Sequence, residues 1–238
     1  MQVKTKAIVL SVVKYQDKSL IVKCFTEAMG IQSFFVRNAF SKGKTTQKTA
    51  YFQPLTVLEI DFAYKSKSGL QYFKDLRLAY VYQSIYLDFS KNSIAIFVAE
   101  MLHHAVKEQQ NDESFYTFLE TAVLWLDAHE ETANFHLILL VELTKYLGFY
   151  PDMKWSDKLY FNIQDGNFTD FYTPFCIDQT ETVLFKKLLG LGFSHNQKVF
   201  TAKDRNVLLN LLLNYYEKHI SDFRRPNSLE VLREVFAS

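Results

Sequence analysis

The residues with the clearest chemistry sit in one loop. From Arg37 to Lys48 the chain reads Arg37-Asn38-Ala39-Phe40-Ser41-Lys42-Gly43-Lys44-Thr45-Thr46-Gln47-Lys48. Arg37, Lys42, Lys44 and Lys48, mixed with hydroxyls and small residues, suit contact with a phosphate chain, and Phe40 is a candidate for stacking on a base. The competing reading of the same residues is a solvated loop with Phe40 tucked into the fold. Gly43-Lys44-Thr45 matches the end of a phosphate-binding P-loop. The first glycine of that motif would fall at position 38, which is Asn38, so nucleotide hydrolysis is not expected.

Other reactive side chains form no constellation. His103 and His104 are adjacent, and neighbouring helical residues point about 100° apart, which is poor geometry for one shared metal. One is expected at the core edge and the other in solvent. Cys24 lies between Val22 and Phe25 and reads as a small core residue. Cys176 follows Pro174-Phe175 and has no histidine beside it. There is no HExxH and no GxSxG. The expectation is a binding protein rather than an enzyme, with no catalytic residue, no metal ligand set and no cofactor.

Charge points the same way. Residues 1–80 hold 13 Lys+Arg and 5 Asp+Glu, a balance of +8, while residues 81–238 hold 14 and 21, a balance of −7. A basic segment joined to an acidic one suggests a polyanion-binding module on a scaffold. Lys65 and Lys67 belong to the basic area, and Lys4, Lys6, Lys14, Lys18 and Lys23 widen it if the fold gathers them on one side. With 238 residues, 48% of them hydrophobic, the chain can bury a substantial core. No run approaches the ~20 apolar residues of a membrane span, and two distant cysteines make no disulfide framework. A soluble, cytoplasmic protein without a membrane partner is expected.

The elements that must carry the loop read as strands first and helices afterwards. Val3–Val13, Leu20–Phe25, Ile31–Arg37, Leu55–Tyr64 and Leu70–Leu78 give five strands, with turns at Gln16-Asp17-Lys18 and at Lys65 to Gly69. Five short strands in 80 residues suit a small barrel of the OB-fold type, though an SH3-like barrel has the same count. The period then becomes helical over Ile94–Ala105 and Phe115–Leu126. Phe135–Leu147 is apolar nearly all round and is stopped by Gly148 and Pro151. Asp178 with Glu181 and Thr201 with Asp204 mark helix starts, Leu208–Tyr216 is a further apolar helix, and Pro226-Asn227-Ser228 opens a last short one. Asp165-Gly166-Asn167 turns a hairpin within residues 159–172. The fold class is therefore α+β: an N-terminal barrel, residues 1–80, followed by a helical domain, residues 81–238, with a hairpin insertion.

Several segments resemble one family, in order along nearly the whole chain. Thr5-Lys6-Ala7-Ile8-Val9-Leu10 resembles the opening strand of RecO, the bacterial recombination mediator. Tyr15 to Val22 resembles its polar turn and second strand, and Phe25-Thr26-Glu27 with Gly30 its FT-x-x-x-G step. Gln53-Pro54-Leu55, Leu147-Gly148-Phe149-Tyr150-Pro151 and Leu229 to Phe236 resemble its QPF motif, its LGY-x-P helix end and its closing helix. Two features differ. Arg37-Asn38-Ala39-Phe40 stands where the family has a lysine-glycine-alanine-arginine stretch. The four cysteines that hold zinc in many members are reduced to Cys176 in the region from Pro151 to Thr180, and neither Cys24 nor His195 completes a set.

The resemblance implies an ATP-independent mediator of recombinational repair. It would bind single- and double-stranded DNA and anneal complementary strands. It would engage RecR and, in some members, the acidic tail of the single-stranded-DNA-binding protein. It would help RecA take over the strand, acting at the nucleoid. Lys145, at the end of the central helix, and Arg224-Arg225, before the last one, are the candidate contacts for such a tail. The alternative function is an OB-fold RNA-binding adaptor that uses the 2′-hydroxyl.

Overall fold

The computed structural model describes residues 1–40, 49–65, 69–107, 112–194 and 199–236. They form two compact units, Met1–Ala128 and His129–Ser238.

The first unit is built on five antiparallel strands: β1 (Gln2–Tyr15), β2 (Ser19–Thr26), β3 (Gly30–Val36), β4 (Val57–Ala63) and β5 (Phe73–Leu78). Their order is β3-β2-β1-β4-β5. β1 is long enough to pair with β4 through its first half and β2 through its second, and its register shifts between Val9 and Ser11. A bulge there bends the strand and helps curl the sheet. The two edges meet at one parallel bridge, Phe34 to Gln71. Phe35 N donates to Gln71 O at 2.9 Å and Gln71 N to Ser33 O at 2.8 Å. The expected OB-type connectivity is present, with one correction: the seam is a single bridge, not a closed ladder. The reason lies in Gln71. Its side-chain amide accepts from Lys65 N at 3.0 Å and donates to Lys65 O at 3.1 Å. That ties residues 70–72 to the preceding turn, and β5 starts only at Phe73.

Inward-facing Val9, Val22, Cys24, Phe34, Leu58 and Phe62 fill the barrel. Phe34 is central, edge-on to Phe62 at 5.1 Å and stacked on Phe73 at 4.2 Å. The outer face of β1 and β2 is covered at one end by α1 (Phe89–Ala105) and α2 (Glu113–Ala128). Phe25 meets Phe115 at 5.2 Å and Tyr116 at 5.9 Å. Burial on both faces explains why Ile8-Val9-Leu10 is a continuous apolar run rather than an alternating one. Asp127 at the end of α2 accepts from the backbone N–H of Gln83, Ser84 and Ile85 at 2.9, 2.8 and 3.0 Å. The buried Lys91 ammonium donates to Ser84 Oγ and Asp127 O. This clasp fixes the turn that leads into α1.

In the second unit, α3 (Phe135–Leu147) is the apolar central helix, and Gly148 ends it with φ +84°. The hairpin is β6 (Tyr160–Asn162) with β7 (Asn167–Thr169), followed by α4 (Gln179–Leu189), α5 (Ala202–His219) and α6 (Leu229–Val235). Both expected helix starts are full capping boxes, Asp178 with Glu181 and Thr201 with Asp204. Gly166 turns the hairpin at φ +67°, and a Cβ there would lie 2.6 Å from Tyr215 Oη. Phe161 anchors the hairpin against Phe168, Phe185 and Tyr215 at 5.0, 4.7 and 5.5 Å.

Candidate nucleic-acid interface

The two faces of the β1-β2-β3 sheet follow from register. Cys24, Val22 and Leu20 point inward, so Phe25, Lys23, Ile21 and Ser19 point outward. Outward residues line up across strands as Ile8–Phe25–Ile31, then Ser11–Lys23–Ser33, then Val13–Ile21–Phe35, with Tyr15 opposite Ser19. The first row is buried at the end where α1 and α2 pack. The third lies in the open, with Val13 58% and Tyr15 46% exposed. Half of one sheet face is thus covered and half faces water.

The open half is aromatic. Phe35 stands edge-on between Tyr15 and Tyr72, with ring centroids 5.7 and 5.9 Å away. Tyr72 is 41% and Phe40 50% exposed. Cations crowd these rings. The Arg37 guanidinium is 5.3 Å and the Lys65 ammonium 5.9 Å from the Tyr72 centroid, and Lys14 is 5.9 Å from that of Phe40. Among the described residues, none of these three cations is in an ion pair. The described stretches that lie here are the β1–β2 turn, residues 37–40 after β3, and residues 65 and 69–72 of the β4–β5 connection. In OB-folds, the first and last of these are loops that bind oligonucleotides. The β3 exit is fastened to the β1–β2 turn by Ala39 N donating to Lys18 O at 2.8 Å.

Of the residues expected at the site, Arg37 and Lys65 are thus brought together at Tyr72, whereas Phe40 meets Lys14. Lys42, Lys44, Lys48 and Lys67 lie outside the described residues. The fold divides the other lysines. Lys14, opposite Leu20 in the register, stands beside Phe40, but Lys6 is taken by Glu120 at 2.9 Å and by Tyr80 at 3.2 Å. Those two hydrogen bonds, Glu120's first, hold its ammonium well above the ordinary lysine range despite burial. Lys4 lines a cleft with Glu59, Asp61, Asp75 and Arg77. Sequence reasoning missed Tyr15, Phe35, Tyr72 and Gln71. One signal was available: in Phe34-Phe35, period-two geometry must turn one ring outward.

The partner candidates have different surroundings. Lys145 bonds both carboxylate oxygens of Glu142 at 2.8 and 2.7 Å and lies over Tyr150. Arg225 is engaged by Glu217 and Asn214. Arg224 is exposed. The histidine expectation needs correction too. His103 and His104 are both half-buried, edge to face at 5.0 Å. Burial, then the charges of Lys23 and His104, push His103 down to about 4, so it is neutral at neutral pH.

The sequence matches two family models. Residues 1–82 match the one described as Recombination protein O N terminal, and residues 86–229 match Recombination protein O C terminal. The chain belongs to the RecO family. The DNA repair protein RecO of Flavobacterium psychrophilum is 51% identical over 238 residues, and that of Flavobacterium johnsoniae 50% over 237, each alignment covering 100% of both chains. The Bacteroides fragilis protein of the same name is 33% identical over 240 residues, covering 98% of each.

The zinc site that RecO resemblance implies does not fit the residues present. Cys176 is buried in its own turn, with Thr173 N donating to its sulfur at 3.4 Å. Among the described residues, no three His, Cys, Asp or Glu side chains are grouped as metal ligands. Nor is any helix among them long and apolar enough to cross a membrane.

Proposed function

We propose that this protein is a recombination mediator in DNA repair. It binds single- and double-stranded DNA through the segment 1–80, anneals complementary strands without ATP, and works with RecR to load RecA at the nucleoid. The observation that carries the reading is the open end of the sheet. There Lys14, Arg37 and Lys65 stand beside exposed rings, and no carboxylate among the described residues neutralises them. Such cations displace the counterions condensed on a phosphate chain, which gives affinity without base readout. Lys42, Lys44, Lys48 and Lys67, outside the described residues, are assigned to the same phosphate contact on their charge. Family membership and the DNA repair name shared by the relatives support the role.

The test is annealing of complementary oligonucleotides with no nucleotide present, with binding measured across a salt series. Annealing should proceed, and replacing Lys42, Lys44 and Lys48 by Ala should flatten the salt dependence by ~0.7–0.9 log units for each phosphate left unneutralised. Annealing that requires hydrolysable ATP would overturn the mediator reading, and tighter binding to matched RNA would favour an RNA adaptor. The acidic tail of the single-stranded-DNA-binding protein is assigned to Lys145, Arg224 and Arg225. Calorimetry with a tail peptide tests this, and equal affinity after their removal would reject them.

A further inference from the structure

We propose that Tyr72, backed by Phe35 and Tyr15, is the residue by which this surface selects single strands over duplex. The inference rests on the DNA-binding reading above and adds a division of labour within it.

Cations alone do not discriminate strongly, because duplex and single strand both present phosphates. The rings do. In a duplex the base faces are stacked on one another, and an outer surface meets only the backbone and groove edges. A single strand offers free π-faces that stack on aromatic side chains. The open row Val13–Ile21–Phe35, flanked by Tyr15 and Tyr72, is an apolar surface rimmed by Arg37 and Lys65. Apolar area left in water beside unneutralised cations fits a ligand that is both anionic and flat-faced. Single-stranded DNA has both properties.

Tyr72 is also held in place before any ligand arrives. The preceding residue, Gln71, is buried and bonded at both ends. Its backbone makes the single bridge of the seam, bonding Ser33 and Phe35, and its side-chain amide grips the Lys65 backbone at 3.0 and 3.1 Å. One residue thus fixes the ring at 72 and the stem of the cation at 65. A platform positioned in this way loses little freedom when a base stacks on it. Gln71 is a positioning residue and Tyr72 a contact residue.

The experiment measures binding of a labelled oligothymidine strand, a duplex of the same length and an abasic strand of the same length. It uses the full chain and the variants Tyr72→Ala and Tyr72→Phe. Tyr72→Ala should weaken the oligothymidine complex about tenfold, within the range for removing one stacked base, with the salt slope unchanged. Duplex and abasic-strand affinities should stay within about twofold, and Tyr72→Phe should behave as wild type. An equal weakening on all three ligands, or none on oligothymidine, would overturn the platform. The two ideas fail differently. A wild-type protein with no salt-dependent affinity for any of these DNAs refutes the DNA-binding reading itself, whereas strong wild-type binding with an indifferent Tyr72 refutes only the platform.

Discussion

Aromatic side chains stand in water beside lysines in two parts of this molecule, the open end of the barrel sheet and the hairpin of the second unit. At the hairpin, Lys154 lies over Trp155 and Lys218 over Phe175, and Phe171 is 82% exposed. The two regions differ chiefly in backing. At the hairpin only Lys158 is neutralised, by Asp170 at 2.8 Å, while Lys154 and Lys218 are in no ion pair among the described residues, and Phe171, Tyr172 and Phe175 belong to an irregular segment after a three-residue strand. In the sheet, Arg37 and Lys65 have no counter-ion among the described residues, and Phe35 rises from a paired strand. An exposed ring by itself marks only an interaction surface. A ring held rigidly beside a cation with no internal partner marks a surface for polyanions.

The largest effect should come from removing the cations. The double variant Arg37→Ala, Lys65→Ala should lower DNA affinity by an order of magnitude or more at low salt. Its salt slope should fall by about 1.4 on a single strand and about 1.8 on duplex if each contacts one phosphate. The matched variant Lys154→Ala, Lys158→Ala at the hairpin should leave both slopes unchanged. Fluorescence anisotropy across a salt series reads both. Equal weakening by the two variants would erase the distinction between the regions.

Next in size is the stability of the hairpin. Phe161 is fully buried against Phe168, Phe185 and Tyr215. Phe161→Ala should cost about 3–5 kcal/mol in urea denaturation. Phe171→Ala removes a ring that is nearly all in solvent and should change stability by less than about 0.5 kcal/mol. A large cost for Phe171→Ala would mean that its ring is covered in solution.

That contrast also shows what the sequence could and could not tell. Strand and helix order, the stop at Gly148, the capping boxes and the turn at Gly166 were all legible, because each depends on a local pattern. Burial along Trp155 to Phe175 was not legible in the same way. Among its apolar side chains Phe161 and Phe168 are buried and Tyr160 and Ile163 half-buried, since strands of three residues present few inward positions and the segment beyond them loops out. Arg37, Phe40 and Lys65 were found by composition. Tyr15, Phe35 and Tyr72 were not, because the outward side of a strand is set by register with its neighbours. Lys6 looked like part of the basic surface, but its carboxylate comes from Glu120, 114 positions away in the chain.

A third effect should appear in the barrel unit away from the open rings. Burial of the Asp127 carboxyl favours its neutral form, but the three backbone donors at residues 83–85 and the Ser84 hydroxyl outweigh this and hold its pKa below the ordinary value of 3.8. A carboxylate with a lowered folded pKa contributes stability above its unfolded pKa and loses it as pH falls through the folded one. Asp127→Ala should therefore cost roughly 1.5–3 kcal/mol at neutral pH. The wild type's excess stability over this variant should shrink below about pH 4, a window set by that ordinary value. DNA affinity at neutral pH should be unchanged, since the clasp contributes no group to the open surface. Denaturation curves from pH 7 to pH 3 measure the first effect, and a fall in affinity would show that the two are coupled.

The smallest expected effect is no effect, and it bears on how the hairpin is held. A structural zinc needs four ligands in tetrahedral array, nearly always cysteine or histidine. From Pro151 to Thr180 the chain offers Cys176 alone, and its sulfur is already occupied with Thr173 and the Phe171 carbonyl. The aromatic cluster around Phe161 supplies the cohesion instead. Burying a Phe-sized side chain contributes ~1.5–3 kcal/mol, so Phe161, Phe168 and Phe185 together can support a hairpin this small. Chelator treatment should leave the melting temperature unchanged, and metal analysis of the purified protein should find zinc well below one equivalent. Stoichiometric zinc whose removal lowers the melting temperature would overturn the expectation. It would also mean that the Phe161→Ala variant measures a supporting contact rather than the principal one. Running both experiments on one preparation separates a hairpin held by rings from a hairpin held by a metal.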